Sequence, residues 1–309
     1  MGVERQPRGT AFALRDALPW PVFAGLARLG ETLGYRAVFL PEIGGRDAFA
    51  ALSGLAGETT ELLLGTGIVP MTARTPRMTA MGAATVHECS GGRAILGLGT
   101  GAAGRGALAE LEAQVAEVRR LLGPDGGLSL RLPDAAPIWI SALGPRSVAL
   151  AGRIADGVLL NWCTPDRVAH ARTAIREAAE AAGRDPDRIT IAAYVRGSLG
   201  GDAGDALAAL RRAAGEYASY PGYARQFAAM GLEREATAAA AAHGAGDVDA
   251  VPEALVRAVC LPDDPDAARS RLDEYRAAGA DLPVVYPVAT DDDPAGSVAA
   301  TLRVAAPPA

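Results

Sequence analysis

Short, almost wholly apolar runs alternate with longer segments of helical spacing along nearly the whole chain, and this alternation limits the fold more than any other feature. A run that is apolar on both faces must be buried on both, as a strand is in a parallel sheet covered by helices. Such runs fall at residues 11–16, 37–42, 62–70, 94–98, 138–142, 157–162, 189–195 and 284–288. The segments between them carry helix signals. Asp47 stands as an N-cap, with Gly57 near the end of its helix. Thr75-Pro76 and Thr164-Pro165 each offer an N-cap followed by proline at the first helical position, and Ser90-Gly91-Gly92 stops the helix that Thr75 opens.

Eight such runs in sequence imply an α/β fold, a single (β/α)8 barrel over residues 1–309, with an open doubly wound sheet as the alternative. A barrel of this type takes about 250 residues. The surplus sits at residues 203–259, which are alanine-rich, helical and longer than one crossover needs. A helical extension after the seventh strand is therefore expected, and its apolar faces offer an interface for a homodimer. Residues 265–278 read as the eighth helix, residues 123–132 as loop with room for a small hairpin, and the tail as a short helix with a loose end.

Composition removes several functions. All thirty cationic side chains are arginine. Without lysine the chain forms no Schiff base, so lysine-dependent aldolases and pyridoxal enzymes are excluded, as is the lysine of a Walker loop. A phosphate must be held by arginine forks, backbone N–H groups or helix N-termini. A GC-rich genome accounts for the missing lysine equally well and leaves the exclusion intact. A net charge of −6 gives no basic footprint, so neither nucleic acid nor an anionic membrane is an expected partner. Cys89, Cys163 and Cys260 are odd in number and far apart, which points to a reducing, cytoplasmic setting. His87, His170 and His243 form no zinc spacing, and no metal is expected. The N-terminus lacks the apolar core of a signal peptide, and no run reaches the roughly 18 apolar residues of a membrane span.

A barrel keeps its chemistry at the C-terminal ends of the strands. There the sequence places Glu42, Arg74, Gly99-Thr100-Gly101, Gly144-Pro145-Arg146 and Asn161-Trp162, although loops need polar residues anyway. Gly99, Gly101 and Gly104 match a dinucleotide GxGxxG between a strand and a helix. Three βα units precede that motif and no strand ending in an acid follows promptly, so a Rossmann site fits poorly. His87 reads as structural.

Residues 37–47 (AVFLPEIGGRD), 64–76 (LGTGIVPMTARTP), 81–101 (MGAATVHECSGGRAILGLGTG) and 138–165 (IWISALGPRSVALAGRIADGVLLNWCTP) together resemble the luciferase-like flavin- or deazaflavin-dependent oxidoreductases. The resemblance is nearest to the coenzyme F-420-dependent branch that includes methylenetetrahydromethanopterin reductases. It implies a barrel with the cofactor ring over its C-terminal face and hydride transfer between coenzyme F-420 and a small organic substrate. An FMN-dependent reductase or monooxygenase is one alternative, and a non-catalytic flavin-binding barrel another.

The resemblance also implies a bulge with a non-proline cis peptide on the third strand, at Thr66, Gly67 and Ile68, with Gly67–Ile68 as the bond. Alternatively Gly65 and Gly67 only relieve crowding. The cofactor phosphate would lie by Gly99, Thr100, Gly101, Ala142, Leu143, Gly144 and Arg146, with Arg74 as a further candidate; either arginine could instead be a solvated charge. Glu42 would act as general acid or orient the ring, unless it pairs with Arg46. Asn161 and Trp162 would line the substrate pocket, unless Trp162 merely caps the barrel. Two departures stand out. The long insertion usual after the fourth strand is trimmed, and Ala102 occupies the place of the acidic proton donor of glucose-6-phosphate-specific relatives. Those relatives hold their sugar phosphate with lysines, so a sugar phosphate is not the expected substrate.

Overall fold

The computed structural model describes residues 7–15, 18–101, 104–130 and 132–308. In chain order the elements are β1 (Ala11–Ala13), α1 (Trp20–Thr32), β2 (Ala37–Leu40), α2 (Ala48–Ala56), β3 (Leu63–Thr66), β4 (Val69–Pro70), α3 (Pro76–Cys89), β5 (Ala94–Gly99) and α4 (Ala107–Leu122). They continue with β6 (Ile138–Ala142), α5 (Pro145–Ile154), β7 (Gly157–Asn161), α6 (Pro165–Ala181) and β8 (Thr190–Gly197). Then come α7 (Ala203–Ala218), α8 (Pro221–Ala229), α9 (Glu233–Ala245), α10 (Glu253–Val259), α11 (Pro265–Ala277), β9 (Leu282–Pro287) and α12 (Pro294–Val304).

All strands pair in parallel, in the order β3-β2-β1-β9-β8-β7-β6-β5-β4, and a further β3–β5 pairing closes the ring. β3 and β4 are two halves of one stave, so the barrel has eight staves and is a TIM barrel. Closure rules out the open doubly wound sheet. The expected helix starts are present: Asp47 accepts from the Ala50 N–H at 3.0 Å, and the Thr75 and Thr164 hydroxyls accept from Met78 and Arg167 at 3.3 Å each. Each satisfies one of the orphan donors of a helix start.

Along each stave alternate side chains point inward. Phe39, Ile95, Trp139, Leu159, Tyr194 and Tyr286 fill the barrel interior, while a larger shell of aliphatic residues joins the staves to the outer helices. The extension α7–α10 has its own core, in which Ala214, Ala239, Phe227 and Leu255 pack around Trp162. Of the alanines in residues 203–259, Ala206, Ala209, Ala214, Ala218, Ala236, Ala239 and Ala242 are buried, while Ala203, Ala229, Ala238, Ala241, Ala245, Ala250 and Ala254 stay exposed.

The structure departs from the sequence reading in several places. The seventh stave runs to Gly197, two residues beyond 195. Residues 265–278 hold α11, which leads into the last stave; the eighth outer helix is α12, docked by the Tyr35 hydroxyl donating to the Leu302 carbonyl at 2.9 Å. No strand forms among the described part of residues 123–132. Asp16, expected at the end of the first strand, and Ala102 lie outside the described residues. Among the described residues no helix is long and apolar enough to cross a membrane.

Candidate active site

The C-terminal mouth of the barrel is shaped first by a break in its third stave. Gly65 pairs with Ile95 and Val69 with Leu98. Four steps on one strand therefore oppose three on the other, which is a one-residue bulge. Within it the Gly67–Ile68 peptide is cis, at the bond expected. The bulge is tied to β2 through the Gly67 N–H to the Leu40 carbonyl at 2.8 Å and the Glu42 N–H to the Ile68 carbonyl at 3.1 Å.

Glycines let the bulge sink into the barrel. A Cβ on Gly65 would overlap the Phe39 ring, one on Gly67 the Tyr194 hydroxyl, and one on Gly97 the Thr66 carbonyl. On Gly99 it would lie 2.5 Å from the Ser141 hydroxyl and 2.7 Å from Ile68 Cδ1. The LGTG and LGLGTG stretches are thus two sides of one close packing, so relief of crowding accounts for part of the pattern. Thr66, expected to touch the cofactor, is fully buried instead. Its hydroxyl donates to the Gly97 carbonyl and accepts from the Gly97 N–H, both at 2.8 Å, replacing ladder bonds lost at the bulge. Ile68 is half-buried at the mouth. Tyr194 reaches up beneath Gly67 with a buried hydroxyl that has no hydrogen-bond partner among the described residues, and burial pushes its pKa well above the usual phenol value.

The loops after β5 and β6 lie side by side, because those strands pair. Gly101 is exposed with φ +58°, and open space surrounds Gly104 and Gly144. Gly144 caps α5 without a side chain, so the first-turn N–H groups of α5 lack a side-chain acceptor. Arg146 is exposed in that first turn and carries no ion pair among the described residues. Leu143 offers less than expected: its N–H donates to the Ser147 hydroxyl at 3.1 Å, and its carbonyl accepts from Arg167 at 2.9 Å. Ala142 is buried in the β6 ladder, and Thr100 is half-exposed beside Gly101.

Glu42 does not pair with Arg46. Its two oxygens accept from Arg74 Nε and Nη2 at 2.9 Å each, and Oε2 also accepts the Ala48 N–H at 3.1 Å. Arg74 further bonds Asp47 and lies over the Phe49 ring at 5.1 Å. The Glu42 hydrogen bond, opposed by burial and aided by Asp47, raises the Arg74 pKa. Burial raises the Asp47 carboxyl, but the bonds from Arg74 and Ala50 outweigh it and hold it below the ordinary value. Arg46 bonds the Leu18 carbonyl at 2.6 Å and stacks on Phe23. Glu42 and Arg74 thus form a clamp between the second and third stave loops, in which Glu42 and Asp47 engage the Nε and Nη2 of Arg74.

Across the mouth, Asn161 and Trp162 sit together at the end of β7. The buried Gln226 amide of α8 donates to both of their carbonyls, at 2.5 and 2.6 Å. Trp162 is fully buried with φ +49°, a left-handed conformation that a bulky residue takes only when its surroundings impose it. Asn161 links two groups. It donates to the Tyr223 hydroxyl at 2.8 Å and accepts from Arg196 Nη1 at 2.6 Å. Cys163 and Cys260 lie nearby, where burial pushes both thiols up to about 12, so neither is a thiolate near neutral pH. His87 is remote: it is buried on α3, with Nε2 3.2 Å from Asp134.

A model of the luciferase-like monooxygenase family matches residues 7–106 and 109–282. The chain belongs to that family. It is 33% identical over 208 residues to the 5,10-methylenetetrahydromethanopterin reductase of Methanolobus tindarius, a match covering 60% of this chain and 64% of that enzyme. The match thus spans less than two thirds of the relative's length. Two solved structures share the fold. One is the coenzyme F-420-dependent tetrahydromethanopterin reductase of Methanopyrus kandleri, with TM-score 0.76, 22% identity and 97% of each chain covered. The other is an F-420-dependent secondary alcohol dehydrogenase bound to an F-420–acetone adduct, with TM-score 0.76, 16% identity, and 96% of this chain and 99% of that one covered.

For this luciferase-like barrel the residue that sequence reading missed is Arg196. The strand was read as ending at 195, one residue short. Yet the inward alternation through Ala192 and Tyr194 continues to Arg196, and that period was the available signal.

Proposed function

We propose that this chain is an oxidoreductase that transfers a hydride between coenzyme F-420 and a small organic substrate at the C-terminal mouth of the barrel. The observation that carries the reading is the uncapped α5 start with its unpaired Arg146, opening onto free space at Gly144 and Gly104 beside the Ile68–Ser141 floor. A helix N-terminus and an arginine fork are what a lysine-free chain has left for an anion. The residues therefore fit a phosphate-bearing flavin-type group. The F-420 dependence in the names of the two solved relatives supports a deazaflavin over FMN.

In this reading the cofactor supplies hydride chemistry, and the protein supplies binding and orientation. Gly144 and Arg146 hold the phosphate end. Gly101 and Thr100 border its path, and the Gly67–Ile68 bulge, carried on Tyr194, supports the ring. Glu42 acts as a positioning residue: its clamp on Arg74 fixes the loops that carry the bulge. Asn161 orients Arg196 and Tyr223 on the substrate side. Trp162 and Gln226 close the extension over that side and keep water out. The unpaired thiols support a reducing, cytoplasmic setting, and the packing of α7–α10 on Trp162 of the barrel supports one domain.

Turnover separates an enzyme from a non-catalytic flavin-binding barrel. Reduced coenzyme F-420 mixed with the protein and a panel of carbonyl, imine and activated alkene acceptors should be reoxidised only when protein and acceptor are both present. Reoxidation with reduced FMN and oxygen instead would move the assignment to a monooxygenase. No turnover with either would leave only a binding barrel.

A further inference from the structure

Arg196 is 97% buried, since only 3% of its surface is exposed. Among the described residues its guanidinium has one hydrogen-bond partner, the Asn161 amide oxygen, and no carboxylate pairs with it. The guanidinium carbon lies 3.9 Å from the Trp162 ring centre, 4.6 Å from Tyr286 and 4.8 Å from Tyr217. Burying a cation is costly unless an anion answers it, and arginine stays charged in proteins. Three aromatic rings and one amide thus stand around the guanidinium. Arg196 is also one of the residues lining a cavity of about 320 Å³.

That cavity lies at the ends of β8, β9 and β1. Its walls are mainly aliphatic: Leu14, Leu18, Ala213, Pro287, Val288 and Val298. Arg15, Arg212, Glu216 and Asp291 line it too. Arg212 pairs with Asp291 at 2.9 Å, and Glu216 accepts from the Tyr220 hydroxyl at 3.1 Å. Burial keeps the Tyr223 and Tyr286 phenols above their ordinary pKa, so they stay neutral donors that do not repel an anion.

We propose that Arg196 is the specificity-determining residue of this site and that the substrate is a small carboxylate with an apolar body. A guanidinium held among aromatic rings keeps a planar fork of donors, which suits a two-oxygen carboxylate. Arg196 and Tyr194 are two residues apart on the inward face, about 7 Å along the strand. Tyr194 touches Gly67 of the bulge. A carboxylate on Arg196 therefore sets carbons a few bonds away over the bulge. The position of the reacting carbon rests on the hydride-transfer reading; the carboxylate site does not.

Calorimetric titrations of the purified protein, with and without coenzyme F-420, would use hexanoate, hexanamide and hexyl phosphate as probes. Hexanoate should bind at least about tenfold tighter than hexanamide, the loss expected when a charge-assisted bond is removed. Arg196→Gln should abolish that preference while keeping wild-type melting and wild-type affinity for F-420. The proposal fails if the wild-type protein binds hexanamide as well as hexanoate or binds neither, a result that needs no folded variant. It also fails if well-folded Arg196→Gln keeps the preference, or if hexyl phosphate binds tightest. Hexanoate binding without any F-420 binding would sustain the site and overturn the cofactor reading alone.

Discussion

Replacing Thr66 by valine keeps the shape of the side chain and removes one hydroxyl. That hydroxyl makes two buried hydrogen bonds of 2.8 Å, both to Gly97, at the point where β3 stops pairing with β5. Valine would leave the Gly97 N–H and carbonyl without this partner inside a site of zero exposure. Each orphaned group costs about 1–3 kcal/mol. Partial relaxation brings the sum to about 3 kcal/mol, or a melting temperature lower by roughly 5 °C in a chain of this length. Thr66→Ser keeps the hydroxyl and loses a buried methyl, at about 1 kcal/mol. Urea denaturation of the three proteins measures both differences. Two results would refute the reasoning: Thr66→Val within 1 kcal/mol of wild type, or Thr66→Ser as costly as Thr66→Val. A stable Thr66→Val that loses cofactor affinity would restore the ligand role first expected of this residue.

Arg93 donates five hydrogen bonds, to Ser90, Thr59 twice, Leu62 and Ala56, and so ties the ends of α2 and α3 to the start of β5. Arg93→Ala should cost at least about 3 kcal/mol in urea denaturation, and lysine, a point charge, should recover only a fraction. Burial raises the Glu31 carboxyl, but N–H bonds from Glu61, Leu62 and Thr60 and the charge of Arg93 outweigh it, so its folded pKa is depressed, as is that of Asp47. The unfolded chain then takes up protons first as the pH falls. Stability from both groups is full above about pH 4–5 and is lost as the pH drops through the folded values. The urea midpoint should fall on acidification, and less steeply in Glu31→Gln; identical slopes would contradict this. Arg146→Ala should weaken coenzyme F-420 binding at least about tenfold and leave melting unchanged, because the side chain is exposed. A lowered melting temperature would mark Arg146 as structural.

The barrel was legible because each stave is a run buried on both faces and each following helix starts on its own local signal, such as Asp47 or Thr164-Pro165. The cis bond at Gly67–Ile68 was legible only through the family resemblance, since periodicity does not register a peptide isomer. Contacts across the mouth were not legible. Glu42 and Arg74 meet 32 residues apart, and nothing local distinguishes Arg74 from Arg46 as the partner. The role of Thr66 was hidden for the same reason: its hydroxyl serves a gap between staves that exists only once the bulge forms. The extension was expected as helical, but an apolar helix face does not say which other face it meets, so the Trp162 core and the aromatic setting of Arg196 emerged only in three dimensions.

The central claim is that the mouth of this barrel takes a deazaflavin, with its phosphate at Gly144 and Arg146. A fluorescence titration of the purified protein with coenzyme F-420 and, in parallel, with FMN tests it most directly. Saturable binding of coenzyme F-420 that is clearly tighter than that of FMN, and that is weakened in Arg146→Ala, is the predicted result. Tighter binding of FMN, or binding of neither, would contradict it.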